Sequence, residues 1–522
     1  MKHRTTPLYQ YIFILVWGVA CALFLDVCYS HHLFYQEQNQ LFLLSTDYLA
    51  TYFQKPAWMA CMAGDFLTQF YYYLHAGALI LTVALLTVGD LWRRCGQRAG
   101  LNRHIAFGAA MILMTLQALL CLHVSYRLYS VVALGGGLAL YLVSSWALRR
   151  GKAWLLLTPL TVGALTYWLF GYGAWAYLLL TALDLLLHRK KDLLWLVPSL
   201  LLIPLIMATA PRCYLTPSKA LTYPGIGQMA MPDFTLERNF AVSDAYYFGR
   251  YDKVEKMVEA TAQPTDQMLF FYNLVKAKKG ELPDHLLRFT PNQLGSFYAI
   301  GPKTPLLVII NMNELYWALG DMTLTERAAM MTHVFAPRNR NVRMVKRLAE
   351  CNIVGGDTLA ADKYLRLLDK TLVYRHWSEK AAQGEGIKYL LDKREYTNRA
   401  DTIRLNDNLH MVMMELLDSN PHNTVALDYI LCSTLLLKDM DNFKRDYDRY
   451  CMDTDNVRRK KLYQQALMIY LAGTQAPQEE WARYIYDQAE LKRFQDYSSH
   501  RGDPRFRDTY WYYFDTVKPP QP

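Results

Sequence analysis

Long apolar runs alternate with short charged loops over the first 210 residues, and this pattern predicts membrane-spanning helices. A helix that crosses a hydrocarbon core of about 30 Å needs about 20 apolar residues. Seven stretches without lysine or arginine approach or exceed this length, at residues 8–29, 66–89, 104–122, 128–148, 153–170, 172–188 and 193–210. The sequence therefore predicts a seven-helix transmembrane domain over residues 1–210.

The distribution of lysine and arginine predicts the orientation of this domain. If the amino terminus is cytoplasmic, the inside segments hold 12 basic residues and the connecting loops outside hold only Lys55 and Arg127. Cytoplasmic loops are the ones that retain positive charge. A tight turn at residues 171–173 divides the long apolar run 153–188 into two spans. The number of spans is then odd, which places the two ends of the domain on opposite sides of the membrane. We therefore expect a protein of the bacterial inner membrane with a cytoplasmic amino terminus and a periplasmic carboxy-terminal domain.

The carboxy-terminal part is densely charged. Residues 211–522 carry 42 Lys/Arg and 39 Asp/Glu, and 7 of the 10 net positive charges lie among the apolar spans before them. Binding of nucleic acid requires a basic patch on a soluble face, so we exclude nucleic acid as a partner. Cys213, Cys351, Cys432 and Cys451 form no C-x-x-C pair, which makes a zinc site improbable. The sequence is compatible both with disulfide bonds and with buried free thiols.

A repeated pattern of small and apolar residues predicts a TPR-like (tetratricopeptide-like) helical domain at residues 236–515. Residues 245–254 resemble the turn and second helix of such a repeat. The turn positions Gly249, Gly280, Gly320 and Gly356 are separated by 31, 40 and 36 residues, and Asp439 follows 83 residues later. The TPR unit has about 34 residues, and a glycine in its turn lets neighbouring helix pairs stack.

These patterns predict an all-α protein. It consists of the seven-helix bundle, a linker at residues 211–235, the TPR-like α-solenoid and a loose tail at residues 516–522. A non-repetitive helical domain is the alternative for the carboxy-terminal part.

Three short motifs carry a resemblance that covers both halves of the chain. They lie at residues 36–38, at residues 66–73, and at residues 420–423 ahead of 435–440. On these motifs the chain resembles a group of uncharacterised polytopic membrane proteins of Bacteroidota. The resemblance implies an architecture and no activity.

The first outer loop, residues 30–65, holds the residues most suited to chemistry. An acidic residue near a membrane is costly unless it is solvated or paired, so Glu37, and Asp26 at the outer end of the first span, are functional candidates. An acid-bearing first outer loop after an inside amino terminus resembles the GT-C class of glycosyltransferases, which use polyprenyl-phosphate sugars. The resemblance implies that Glu37 or Asp26 acts as general base and that Arg127 and His123 hold the donor phosphate.

This resemblance is incomplete. The acids of the GT-C class usually follow the first span immediately and are often paired, whereas Glu37 lies eight residues past Tyr29 and Asp26 lies inside the span. In the alternative reading, Asp26 lies at the interface and Glu37 is a solvated loop acid. A metal site built from His31, His32 and Glu37 is less favoured, because surface histidine pairs seldom bind metal without further ligands.

The sequence leaves two functional hypotheses. It contains no P-loop, no dinucleotide-binding glycine motif, no H-E-x-x-H and no G-x-S-x-G, so we expect no cofactor and no metal. The first hypothesis is a scaffold of the cell envelope whose helical-repeat groove binds a peptide or protein partner. The second is a glycosyltransferase that uses a polyprenyl-phosphate lipid. Whether the chain is an enzyme stays open at this point.

Overall fold

A computed structural model describes residues 8–149, 152–289, 304–397, 408–452 and 458–518. Within these ranges the regular secondary structure is helical, and no strand is present. The predicted all-α class is therefore confirmed. Residues 519–522 of the predicted tail lie outside the described residues.

The chain divides into two compact units. Unit 1 comprises Met1–Glu237, Arg340–Val342 and Arg366–Glu379. Unit 2 comprises Arg238–Asn339, Arg343–Leu365 and Lys380–Pro522. Two short segments of the carboxy-terminal part therefore belong to unit 1, which the sequence pattern did not suggest.

The first 222 residues form eleven described α-helices connected by loops and short 3₁₀ turns. They are α1 (Leu8–Leu23), α2 (His31–Gln38), α3 (Thr46–Ala50), α4 (Trp58–Thr68), α5 (Ala76–Arg98), α6 (Arg103–Cys121), α7 (Leu128–Ser144), α8 (Lys152–Phe170), α9 (Gly173–His188), α10 (Leu202–Thr209) and α11 (Pro217–Thr222). A π-helical turn, Phe24–Cys28, extends α1.

Five helical segments of the described chain are long and apolar enough to cross a membrane. They are Leu8–Cys28, Ala76–Arg98, Arg103–Cys121, Lys152–Phe170 and Lys190–Cys213. The apolar helices α7 and α9 are shorter, with 17 and 16 residues. These features are compatible with a multi-pass membrane protein.

The second predicted span, residues 66–89, is wrong in its position. Residues 66–68 end α4, and Gln69–Tyr72 form a 3₁₀ turn. His75 then adopts a left-handed conformation, with φ of 66°, and caps α5. The apolar run therefore joins the end of one helix to the start of the next, and the helix that is long and apolar enough to cross a membrane is Ala76–Arg98.

The last predicted span, residues 193–210, lies within a composite helix. A 3₁₀ segment, Lys190–Leu201, precedes α10, and a second 3₁₀ turn, Ala210–Cys213, follows it. Pro198 lies inside the first segment and cannot donate a backbone hydrogen bond, which disfavours a regular α-helix there.

Close packing of α7 against α9 depends on glycine. A Cβ atom added at Gly137 would lie 2.1 Å from the carbonyl oxygen of Gly173, and one added at Gly173 would lie 2.1 Å from that of Ala133. The absence of a side chain at Gly137 and Gly173 therefore permits this close helix packing. Helix α7 also packs against α4, α5 and α8, and it is central in unit 1.

The predicted linker, residues 211–235, is part of unit 1. The carbonyl oxygen of Tyr223 accepts a hydrogen bond from the backbone N–H of Tyr172 at 2.8 Å. The hydroxyl of Tyr167 donates to the carbonyl oxygen of Ala220 at 2.8 Å. These contacts, together with α11, tie the segment to the start of α9 and to α8.

The chain after residue 233 is also helical. Its α-helices are α12 (Phe234–Tyr247), α13 (Tyr251–Glu259), α14 (Asp266–Lys278), α15 (Leu282–His285), α16 (Leu306–Leu319), α17 (Met322–Phe335), α18 (Val342–Gly355), α19 (Thr358–Asp369), α20 (Arg375–Ala382), α21 (Lys388–Tyr396), α22 (Leu409–Ser419), α23 (Thr424–Leu437), α24 (Met440–Tyr450), α25 (Lys461–Gly473), α26 (Gln478–Tyr484), α27 (Gln488–Ser499) and α28 (Tyr510–Thr516).

The glycines singled out by their spacing lie in turns between consecutive helices. Gly249, Gly280, Gly320 and Gly356 have φ values between 68° and 83°, a range that suits glycine because a Cβ atom is strained there. They separate α12 from α13, α14 from α15, α16 from α17, and α18 from α19. At the fifth predicted turn, Asp439 caps α24 by accepting from the N–H of Asn442.

The packing of unit 2 also joins helices that are distant in sequence. Helix α23 packs against α14 and α16 as well as against α22 and α24. Large side chains from these helices and from α28 form one continuous buried core, which includes Phe270, Tyr429 and Trp511. Burial of this apolar surface is the main stabilising term for the unit.

Candidate functional site

The first outer loop is a folded, largely buried part of unit 1. All residues of α2 from His32 to Gln38 are buried. Partners for the loop come from the two carboxy-terminal segments that belong to the same unit. The N–H of Val342 donates to the carbonyl oxygen of Gln40 at 2.9 Å, and the N–H of Leu44 donates to that of Lys370 at 2.7 Å.

Glu37, the first candidate base, is enclosed. Its residue exposure is 1%. The hydroxyl of Tyr374 donates to both carboxylate oxygens of Glu37, at 3.1 and 3.3 Å. A general base has to reach the proton that it removes, and this carboxylate already binds a buried hydroxyl. The arrangement fits a residue that anchors the loop.

Asp26, the second candidate, pairs with a histidine that the sequence reasoning missed. Both oxygens of the Asp26 carboxylate lie within 2.8 Å of Nδ1 of His75. The side chain of His75 is 67% exposed and that of Asp26 is 22% exposed. The carboxylate orients the ring, and Nε2 is the nitrogen that remains for a second partner, so the pair has the chemistry of an oriented general base.

The two residues predicted to hold a donor phosphate have separate protein partners. Nη1 of Arg127 donates to the carbonyl oxygen of Gln36 at 2.6 Å, and Arg127 is only 7% exposed. Nδ1 of His123 lies 2.6 Å from the hydroxyl oxygen of Ser125. The amide of Gln36 also donates to the carbonyl oxygen of Tyr126 at 3.1 Å, so Arg127 and Gln36 connect the loop at residues 122–127 to α2.

A buried acid from the segment before unit 2 caps helix α2. The carboxylate of Glu237 accepts from the backbone N–H of His31 and, at 3.1 Å, from that of His32. These N–H groups lie at a helix start, where they lack intrahelical acceptors and favour a negative charge. The ring of His32 is fully buried against Tyr29, with 4.5 Å between the ring centroids. Burial is the main cause that lowers the pKa of His32 to about 4.

Two apolar clefts open among the helices of unit 1. One, of about 230 Å³, is lined by Trp17, Phe24 and other residues of α1, α5 and α6. The other, of about 260 Å³, lies beside Trp168 of α8 and Leu205 of α10. Both clefts are lined mainly by apolar side chains.

Unit 2 contains a buried cluster of ionic side chains. Nη2 of Arg343 and Nη2 of Arg347 each donate to one oxygen of Glu314 at 2.8 Å. Arg347 also pairs with Glu350 at 2.9 Å and donates to the side-chain oxygen of Asn313 at 3.1 Å. Burial alone would raise the pKa of Glu314, but the two guanidinium groups outweigh it and lower the pKa to about 2.

Aromatic rings cover this cluster. The guanidinium of Arg347 lies 4.3 Å from the ring centroid of Trp317, and that of Arg343 lies 4.5 Å from the ring centroid of Tyr247. This cluster was not predicted from the sequence. Charged residues at positions 343, 347 and 350 of one helix face, among apolar neighbours, were the signal that could have found it.

Metal binding has no geometric support in the part of the chain that the structure describes. No group of three or more His, Cys, Asp or Glu side chains in those residues could hold a metal ion. His31 and His32 therefore do not form such a group with Glu37. The nine cysteines are all free, and Cys351, Cys432 and Cys451 are buried.

The comparisons with known proteins assign the chain to a family. The profile described as "Family of unknown function (DUF6057)" matches residues 4–516, so the chain belongs to this family. No curated protein and no solved structure matches the chain.

Proposed function

We propose that this member of the DUF6057 family is a seven-span protein of the bacterial inner membrane, with a cytoplasmic amino terminus and a periplasmic carboxy-terminal region. Five long apolar helices support the proposal, and α7 and α9 pack among them. At about 1.5 Å per residue, these two helices reach about 24–26 Å, close to the hydrocarbon thickness. The concentration of lysine and arginine on one side supports the orientation.

Reporter fusions test this topology. We expect alkaline phosphatase fused after Tyr214 to be active, because it would be exported, and the same enzyme fused after Arg98 to be inactive. An inactive fusion after Tyr214, with equal amounts of fusion protein in the membrane, would contradict the orientation.

The proposed activity is the binding of a peptide or protein partner by TPR-like helical repeats in the carboxy-terminal region. The observation that carries it is the series of helix pairs joined at the left-handed glycines 249, 280, 320 and 356. Stacked helix pairs present an extended face that suits a polypeptide ligand. Glu37 and Arg127, two of the four candidate site residues, form hydrogen bonds within unit 1 at buried positions, and this also supports binding over catalysis.

The binding proposal is tested with the full-length protein purified from its native membrane in mild detergent. Native mass spectrometry should show a second polypeptide at stoichiometric level. A photo-crosslinking residue at Leu359, which is 84% exposed on α19, should capture the same polypeptide in cells, whereas one at Tyr11 on α1 should not. Absence of a shared polypeptide in both experiments would refute the proposal.

The GT-C-like glycosyltransferase is the second candidate, and the Asp26–His75 pair is the observation that favours it. In this case a co-purified polyprenyl-phosphate lipid is expected. Asp26→Asn and His75→Gln should each abolish sugar transfer without a change in thermal stability. Retention of sugar transfer in both variants would remove this candidate, because Glu37 is enclosed.

A further inference from the structure

Two lysines of unit 2 lie beside aromatic rings. Nζ of Lys278 lies 4.4 Å from the ring centroid of Tyr251 and donates to its hydroxyl at 2.5 Å. Nζ of Lys393 lies 4.9 Å from the ring centroid of Trp317. Among the residues that the structure describes, neither ammonium group forms an ion pair.

The neighbouring acids Glu314 and Glu350 form ion pairs with arginines. Glu314 accepts from both Arg343 and Arg347, and Glu350 pairs with Arg347 and accepts from the hydroxyl of Tyr389 at 3.0 Å. Two cationic groups lie beside the ring of Trp317. The guanidinium of Arg347 is 4.3 Å and the ammonium of Lys393 is 4.9 Å from the ring centroid. Among the residues that the structure describes, none of these acids therefore forms an ion pair with Lys278 or Lys393.

The protonation of the Lys393 amine is affected by its burial and by the positive charges around it. Burial is the first cause, followed by the positive charges of Lys278 and Arg347, and together they lower the pKa of Lys393 to about 7. In about half of the protein molecules the Lys393 amine is therefore neutral at pH 7. An anion beside the amine would stabilise the protonated form and raise its affinity for a proton.

We propose that Lys278, Lys393 and Trp317 form a binding site for a carboxylate of an acidic peptide segment. The site rests on the proposed peptide-binding function and names the chemistry of the partner. Trp317 is half-buried, Lys393 is partly exposed and Lys278 is exposed, so a ligand can reach them from solvent.

The chemistry of the free donors favours a carboxylate over a phosphate. The guanidinium forks, which suit phosphate best, are occupied by Glu314 and Glu350. The two lysines place ammonium point charges beside the flat rings of Trp317 and Tyr251. Such rings contact the apolar stem of an acidic side chain while the lysines bind its charge.

Competitive labelling of the wild-type protein tests the site without a substitution. The full-length protein in detergent is treated with trace acetic anhydride at pH 7.5, and each lysine is quantified by mass spectrometry. Lys388, an exposed residue of the same helix, is the internal reference. A lysine with a pKa of about 7 is about three-quarters neutral at this pH, against about 0.1% for an ordinary lysine, so Lys393 should label faster.

The probe ligand is acetylated hexaglutamate amide, with hexaglutamine amide as its uncharged control. Hexaglutamate should slow the labelling of Lys393 relative to Lys388 about tenfold, and hexaglutamine should leave the ratio unchanged. No slowing with hexaglutamate at saturating concentration would overturn the proposal. Slowing by inorganic phosphate alone would also overturn it, since that result assigns the site to a free anion.

Calorimetry with variants gives the second readout. Lys393→Met and Lys278→Met should each weaken hexaglutamate binding about tenfold, and Lys388→Met, which removes the same charge from the surface, should not. An equal loss of hexaglutamate affinity in the three variants would contradict the proposed site. If the partner found by crosslinking binds the Lys393→Met protein with unchanged affinity, this inference fails and the binding function stands. If no partner exists but hexaglutamate binding depends on Lys393, the binding function fails and the anion site stands.

Discussion

The buried ring of His32 makes the stability of the protein depend on pH in a defined window. Its pKa is about 4 in the folded protein because of burial, and about 6.5 in an unfolded chain. Between these values the unfolded state binds more protons than the folded state. The contribution of His32 is therefore fully present above pH 6.5 and is lost as the pH falls toward 4.

The magnitude follows from the difference in pKa. A difference of about 2.5 units corresponds to a maximum loss of about 3 kcal/mol in the free energy of unfolding. Between pH 7 and pH 5 the same relation gives a loss of about 2 kcal/mol. Glu314, whose pKa is lowered to about 2, begins to lose its contribution only below its unfolded value of 4.5, so it contributes little in this window.

The assay is the thermal unfolding midpoint in detergent at pH 7 and pH 5 for matched variants. His32→Phe keeps a ring against Tyr29 but cannot titrate, so its midpoint should fall much less than that of the wild type. His376→Phe makes the same change at an exposed histidine and should behave like the wild type. If the wild type and His32→Phe lose the same stability between the two pH values, the assignment of a buried neutral His32 is refuted.

Three further predictions concern packing and buried charge. Glu314→Gln should lower the free energy of unfolding by about 3–5 kcal/mol, since it leaves two buried guanidinium groups without their carboxylate; urea titration measures this. Gly137→Ala should destabilise the protein by about 1–3 kcal/mol because its Cβ meets a backbone oxygen, whereas Gly108→Ala, with open space around it, should be neutral. Tyr374→Phe should lower the free energy of unfolding by about 1–3 kcal/mol. In the double variant with Glu37→Gln, the loss of this free energy should be smaller than the sum of the two single losses. An additive loss would mean that the two side chains act independently.

The fold was predictable where the pattern is local. Spans with an uninterrupted apolar run, such as Arg103–Cys121 and Lys152–Phe170, begin and end within a residue of their predicted limits. The turn glycines were identified because a left-handed turn restricts the residue type. The second span was misplaced because residues 66–73, most of which are apolar or aromatic, continue the hydrophobic run across a helix end and a turn. Hydropathy alone does not show where the chain changes direction.

The candidate site was predictable only in part. The outer loop and its acids were identified from charge, but their partners were not. Tyr374 is 337 residues from Glu37, and Glu237 is 206 residues from His31. No periodicity links positions so far apart. Whether a loop acid is solvated or enclosed depends on those partners, so the sequence alone left both readings of Glu37 open.

The order in which the chain builds unit 1 has a consequence for its synthesis. The chain leaves this unit after Glu237, returns at Arg340–Val342, leaves again, and returns at Arg366–Glu379. Translation of the first outer loop is complete at residue 65, yet Tyr374 is translated about 300 residues later, or after about 15–60 s at ribosomal rates of 5–20 residues per second. During that interval the acidic loop has no Tyr374 to enclose Glu37. A chain that ends before residue 374 would therefore lack the hydroxyl that binds the Glu37 carboxylate, and its first outer loop would be incomplete.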